Sequence, residues 1–237
     1  MHMTHGKKYL NALKQVNANE SLSVNQAFEK IKNVAHAKFD ETVDAHIRLG
    51  IDADKGDQVV RGSVLLPHGR GKKVKVIVFA RGAYADAAEK AGADFVGVEE
   101  LVEKINKGWL DFDFAVATPD LMGVVGTLAK ILGPRGLLPN KKVGTVTFEV
   151  AQTVAELKKG RQFFKNDKSG QVNFSFGKTS FEAQQLAENF RHFIKALVAA
   201  KPATAKGRYL RSITVAPTMG PGVLVNVEDA LKAELKG

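Results

Sequence analysis

The chain has no cysteine among its 237 residues, a single tryptophan and only three tyrosines. Without thiols it can form no disulfide, no thiolate nucleophile and no cysteine-ligated zinc site, which fits a reducing compartment. No apolar run approaches the roughly 18 residues of a membrane span; the longest is VKVIVFA at 74–80. The first residues lack the apolar h-region of a signal peptide, and Met1-His2 reads as a leader added ahead of Met3. Enzyme signatures are missing too. The six histidines are scattered, with no H-E-x-x-H and no Ser/His/Asp grouping. Asp111-x-Asp113 and Asp52-x-Asp54 are carboxylate pairs without a nearby histidine to complete a metal site, and read as solvated strand ends. Gly177-Lys178-Thr179 imitates the end of a phosphate-binding loop, but the glycine that pattern needs falls on Val172, and a helix cap is the better reading. No strand is followed by G-x-G-x-x-G, and Gly123-Val124-Val125-Gly126 falls within an expected helix. No enzyme, cofactor, metal or small-molecule substrate is therefore expected.

Positive charge is what the chain does have. Its net charge is +10 and its pI about 9.7, which favours a polyanionic partner. Nucleic acid ranks ahead of a membrane, because no long basic amphipathic helix or lipidation motif is evident. A hydrophobic content of 44% is enough to build a core.

Hydrophobic rhythm divides the chain into three stretches. In the first, Ser23 and Gln26 form a capping-box pattern ahead of Val24, Ala27, Phe28, Ile31, Val34 and Ala35 at helical spacing. Val43, Ala45, Ile47, Leu49 and Ile51 then alternate as in a half-buried strand, with 59–66 as its expected hairpin partner. From 68 to 160 strands and helices alternate: strands at 74–80, 95–97, 112–117 and 145–150, helices at 83–91, 99–106 and from Pro119 onward, and a short helix capped by Thr153 and Glu156. That is the rhythm of a doubly wound parallel sheet. After 160 the hairpin rhythm returns, with strands at 161–165 and 171–176 about a turn at 166–170, a long helix opened by Ser180, and strands at 209–216 and 223–227.

Neither terminal stretch has enough strands for a covered sheet of its own. The expected architecture is therefore α+β combined with α/β: a discontinuous α+β domain from 1–67 plus 161–237, with an α/β domain of 68–160 inserted into it. Two crossing strands between the domains would permit hinge motion. The excess of Lys and Arg over Asp and Glu is +1, +3 and +6 across 1–67, 68–160 and 161–237. The end-built domain thus has the stronger electrostatic footprint and ranks first as the nucleic-acid binder.

The run ATPDLMGVVGTLAKILGPRGLLPNKKVGT, 117–145, begins with Thr118 as N-cap and Pro119 at the first helical position, and its helix stops at Gly133-Pro134. Arg135 to Lys142 follows as a rigid loop that presents cations and carries no catalytic set. This run resembles the signature of the large-subunit ribosomal protein family called L-one, the protein of the mobile stalk beside the tRNA exit site. AKFDETV at 37–43 and TMGPG at 218–222 resemble two further segments of that family, and the similarity extends from about Gly6 to Asn226.

The resemblance implies a non-enzymatic, cytoplasmic, ribosome-bound protein, a monomer when free. Its implied partners are large-subunit ribosomal RNA, exit-site tRNA during movement and release, and its own messenger RNA, whose translation it represses. It implies that Lys38, Phe39, Glu41 and Thr42 lie in the main RNA-binding segment, although by composition alone Phe39 reads as a core plug. It further implies RNA contacts from Thr218, Met219 and Gly220, from the turn Asp167-Lys168-Ser169-Gly170, and from the hydroxyl of Ser212. Gly220, lacking a side chain, would let the RNA approach closely. RNA offers 2′-hydroxyls and a shallow minor groove to such groups. Two other classes stand beside this reading: a nucleotide- or sugar-binding enzyme, which would need a glycine-rich first βα turn, and a module for acidic proteins, which would be insensitive to RNA competitors. The helix-like VEDALKAELKG at 227–237 has no assigned role.

Overall fold

The computed structural model describes residues 6–17 and 20–232. Met1-His2, Asn19 and the end of the C-terminal segment lie outside the described residues. The chain separates into two compact units, one of residues 1–71 with 162–237 and one of residues 72–161.

The first unit begins with α1 (Lys7–Leu13), β1 (Ser21–Leu22), α2 (Val24–Val34), β2 (Thr42–Leu49) and β3 (Arg61–Leu65). Val24, Ala27, Phe28, Ile31 and Val34 are the buried stripe of α2, and the side chain of Gln26 accepts from the Ser23 amide and hydroxyl at 3.3 and 2.9 Å. Along β2 the positions 43, 45, 47 and 49 are buried while 42, 44, 46 and 48 are not, the period-2 pattern of a sheet with one face in water.

The second unit holds β4 (Val76–Phe79), α3 (Ala83–Lys90), β5 (Phe95–Gly97), α4 (Glu99–Asn106), β6 (Phe114–Ala117), α5 (Met122–Gly126), α6 (Ala129–Leu132) and α7 (Val150–Lys159). Its sheet is parallel, in the order β5-β4-β6. Every residue of β4 is buried. Ile77 and Phe79 join a cluster with Leu101, Ile105, Leu128 and Leu132, while Val76 and Val78 point the other way, and α3 and α7 also run against β4. Three segments depart from what the sequence predicts. Residues 145–150 do not form a strand; Val146 makes one isolated bridge to Ala117, and α7 has already begun at Val150. Thr153 lies inside α7 rather than capping it, its hydroxyl donating to the Glu149 carbonyl. The helix expected after Thr118 is also broken, into a 3-10 turn at Pro119–Leu121 followed by α5 and α6. Gly123, Gly126 and a Thr127 hydroxyl bonded to the Val124 carbonyl weaken a continuous helix there.

The chain then returns to the first unit with β7 (Arg161–Lys165), β8 (Gln171–Lys178), α8 (Ala183–Ala199), β9 (Leu210–Pro217), β10 (Val223–Val225) and α9 (Val227–Lys232). The main sheet runs β1-β10-β9-β2-β8, while β3 and β7 pair separately. Neither expected hairpin forms: β2 lies between β8 and β9 instead of pairing with β3, and β7 pairs with β3 instead of β8. Local alternation marks a strand but not its neighbour, and here the partners lie more than a hundred residues apart. The helix expected at Ser180 starts at Ala183 with Glu182 as its N-cap.

One core holds this unit together. Phe28, Phe176 and Phe190 meet edge-on at 5.4–5.7 Å, and Phe174 stacks on Phe193 at 4.0 Å. Asn189 is the fully buried polar exception. It accepts from the His68 amide and donates to the Gly69 and Phe176 carbonyls, pinning the segment that leads out of the unit. Phe193→Ala should cost about 3–5 kcal/mol through reduced burial and the cavity left behind. Urea denaturation measures this, with the exposed Phe39→Ala as a comparison expected to change stability little.

Candidate nucleic-acid interface

The loop between α2 and β2 is shaped by two adjacent carboxylates that face opposite ways. Asp40 is exposed; its carboxylate accepts from the Ser180 amide (3.0 Å), the Ser180 hydroxyl (2.8 Å) and the Thr179 hydroxyl (3.1 Å). Burial pulls the Asp40 carboxyl upward, but the Ser180 and Thr179 hydrogen bonds and the Lys178 charge outweigh it and hold the group below its ordinary 3.8. A depressed pKa means that this clasp is complete above the unfolded value and is lost only as pH falls through the folded one. Thr179 and Ser180 therefore serve the loop and do not cap α8, a correction to the reading of Gly177-Lys178-Thr179 as a cap.

Glu41 points inward and is 1% exposed. One carboxylate oxygen accepts from the His36 and Ala37 amides at 3.0 and 2.8 Å, and the other from the Met219 amide at 2.9 Å. One side chain thus closes its own loop and fastens it to a loop 178 residues away. The protein's own backbone occupies its carboxylate, so Glu41 braces the two loops from inside.

The neighbouring backbone strengthens the junction. The Thr42 amide donates to the Thr218 hydroxyl (3.0 Å), the Thr218 amide donates to the Thr42 carbonyl (3.0 Å), and the Lys178 ammonium donates to the Thr42 hydroxyl (2.8 Å). Gly220 is needed for packing inside the protein, since a Cβ there would stand 2.5 Å from the Pro217 ring.

Around this tied frame the remaining side chains project. Phe39 is 56% and Met219 54% exposed, and Lys38, next to Phe39 in sequence, is exposed too. Phe39 is not the core plug that composition favours. Large apolar side chains left in water on two braced loops mark a contact surface more than a packing need.

The other expected residues sit elsewhere on the same sheet. At the opposite end of β2 the Leu49 amide donates to the Gly170 carbonyl (2.9 Å), so the 167–170 turn lies about 24 Å from Thr42 at 3.4 Å per strand residue. Asp167 organises that turn by accepting from the Ser169 and Gln171 amides. Gly170 has φ +70°, a conformation suited to glycine, and Lys168 and Ser169 are exposed. Ser212 pairs with Arg48 near this end. The structure therefore brings 38–42 and 218–220 together and places 167–170 and Ser212 at the far end of a shared strand. Between them runs the solvent face of the sheet, with Asp44, His46, Asn173, Ser175 and Thr214.

Of the carboxylates considered as metal ligands, Asp111 pairs with Lys75, Asp113 with Lys72 and Asp52 with Lys55. In the second unit Arg135, Lys141 and Lys142 are exposed. Their loop is braced by Asn140, whose side chain accepts from the Lys142 amide at 2.8 Å. Sequence reasoning missed Asp40 and Lys178 as organisers of the interface; the serine and threonine at 179–180 were visible, but their tie to Asp40 spans 140 residues.

A braced surface that combines exposed cations with exposed apolar side chains is the kind a nucleic-acid-binding protein presents. Residues 31–221 match the Ribosomal protein L1p/L10e family, and the chain belongs to that family. Membership makes it a ribosomal protein of the large subunit, from a family that binds rRNA and is not a family of enzymes.

Glu41→Ala would strand three part-buried amides, and a destabilisation of about 2–4 kcal/mol is expected. Glu41→Gln, which keeps an acceptor oxygen, should lose less. Urea unfolding of both variants measures the difference.

Proposed function

We propose that the unit built from both chain ends holds a folded rRNA element by shape, on the surface where the 38–42 and 218–220 loops meet. The observation that carries this reading is the exposure of Phe39 and Met219 on loops that Glu41 and the Thr42–Thr218 bonds fix against each other. A frame rigid before binding loses little entropy when RNA docks. Phe39 and Met219 supply apolar contact, Thr42 and Thr218 offer hydroxyls toward the ribose edge, and Lys38 neutralises phosphate. The Asp167–Gly170 turn, through Lys168 and Ser169, and Ser212 meet the same RNA at the other end of β2.

The remaining partners belong to the same proposal. A messenger RNA that folds into a similar element would compete for this surface, which makes the chain a repressor of its own translation. Exit-site tRNA would be met when the rRNA stalk carrying the protein moves, with Arg135, Lys141 and Lys142 of the second unit as cations available to it. The working state is ribosome-bound in the cytoplasm, and the free protein is a monomer.

Met219→Asp and Phe39→Ala should each weaken binding to a stalk rRNA fragment by about 1–3 kcal/mol, the scale of a specific contact. Gel-shift titration reads the affinity, and thermal melts should stay at the wild-type value because neither side chain is buried. Thr218→Ala is less discriminating, since its hydroxyl also receives the Thr42 amide. Wild-type affinity in both Met219→Asp and Phe39→Ala would remove this surface from consideration.

A further inference from the structure

The far end of the main sheet carries a feature that the RNA-facing groups proposed above leave unused. Between β2 and β9 the register slips: Arg48 faces Ser212 and Leu49 faces Leu210, so Arg211 has no partner in the ladder. A bulge of this kind gives up pairing and re-aims a side chain. Here Arg211 turns toward Gly50, where a Cβ would stand 3.4 Å from its Nε. It lines an open pocket of about 430 Å³ together with Gly50, Asp52, Lys55, Thr204 and Lys206.

The charges in this pocket do not balance. Asp52 is paired with Lys55 at 3.1 Å, which leaves Arg211 and Lys206 without an acidic partner among the described residues. Asp54 and Asp57 share the loop but do not line the pocket. Two uncompensated cations and a threonine hydroxyl are suited to an anionic oxygen cluster. The pocket also adjoins the 167–170 turn: Ile51 lines it, and a Cβ on Gly170 would stand 3.4 Å from the Ile51 side chain.

We propose that Arg211 and Lys206 hold a backbone phosphate of the bound RNA, a second grip about 24 Å from Thr218 and Met219 at 3.4 Å per strand residue. This rests on the reading of the end-built unit as the rRNA binder and extends it to residues outside the family-like motifs. Phosphate contacts set register and strength without reading sequence, so this grip would act uniformly on any RNA that fits the face. Lys55, already neutralised by Asp52, should contribute little.

The test is the slope of log affinity against log salt for the full chain on a stalk rRNA fragment. Arg211→Ala with Lys206→Ala should reduce the slope by about 0.7–0.9 for each phosphate that is no longer neutralised and weaken binding at low salt, with the melting temperature unchanged. Arg211→Lys should restore most of its share, and Lys55→Ala should leave the slope at the wild-type value. A wild type that binds steeply while the double variant keeps its slope would overturn the second grip alone. An equal loss in Lys55→Ala would overturn it as well, because the effect would then be general charge. Inorganic phosphate binding to the free protein through Arg211, with an unchanged RNA slope, would contradict it in favour of a free-anion site. A wild type without salt-dependent RNA binding would defeat the parent reading and this one together.

Discussion

The buried carboxylate of Glu41 is the interaction on which the rest of the surface depends. Taking an ionised group out of water is costly unless hydrogen bonds replace its hydration, and here three backbone amides from two distant segments do so. The arrangement is all-or-none in character. If the 218–220 loop leaves, Glu41 loses its Met219 partner; if the 36–41 turn opens, the Met219 amide loses its acceptor. The two loops are therefore fixed as one body before any RNA arrives, and Asp40, facing outward, ties that body to the start of the segment leading into α8.

The sheet supplies the second constraint. Because α2, α8 and α9 bury a single face through Phe28, Phe190, Phe193 and Ala230, the other face of β2, β8 and β9 is left to water and can carry polar side chains for its whole length. Its two ends differ in kind. At one end Phe39 and Met219 give shape and apolar contact. At the other, Arg48, Lys168, Lys206 and Arg211 give charge, with a bulge setting the direction of Arg211. On the proposed reading, a surface divided this way separates recognition from electrostatic strength, and substitutions at the two ends should leave different salt signatures.

Much of the secondary structure was legible because it is local. The stripe Val24–Val34, the alternation through 43–49 and the continuous apolar run of β4 each state how a segment is buried, and the mixed helix and strand content follows from them. Strand pairing was not legible. β3 is as good a local partner for β2 as any, but its neighbour is β7, and the ribbon they form packs against α8, with Phe164 of β7 meeting Phe193. The same limit explains Glu41: its sequence neighbours place it in an exposed turn, and only the Met219 amide, 178 residues away, reveals why it is buried. Likewise the glycines at 123 and 126 were visible, but a long apolar stripe outweighed them in the reading, and the helix there is broken. For the candidate interface, the motifs named the two segments that meet, while Asp40, Lys178 and the bulged Arg211 emerge only when the strands are in register.

The central claim is that RNA docks on the frame locked by Glu41, with Met219 in the contact. Methyl-¹³C labelling of methionine tests it directly, since the chain has four methionines and Met122 in the second unit serves as an internal reference. Titration with a stalk rRNA fragment should shift and broaden the Met219 methyl signal while that of Met122 stays in place. Saturation of the protein by RNA with the Met219 signal unmoved would contradict the account.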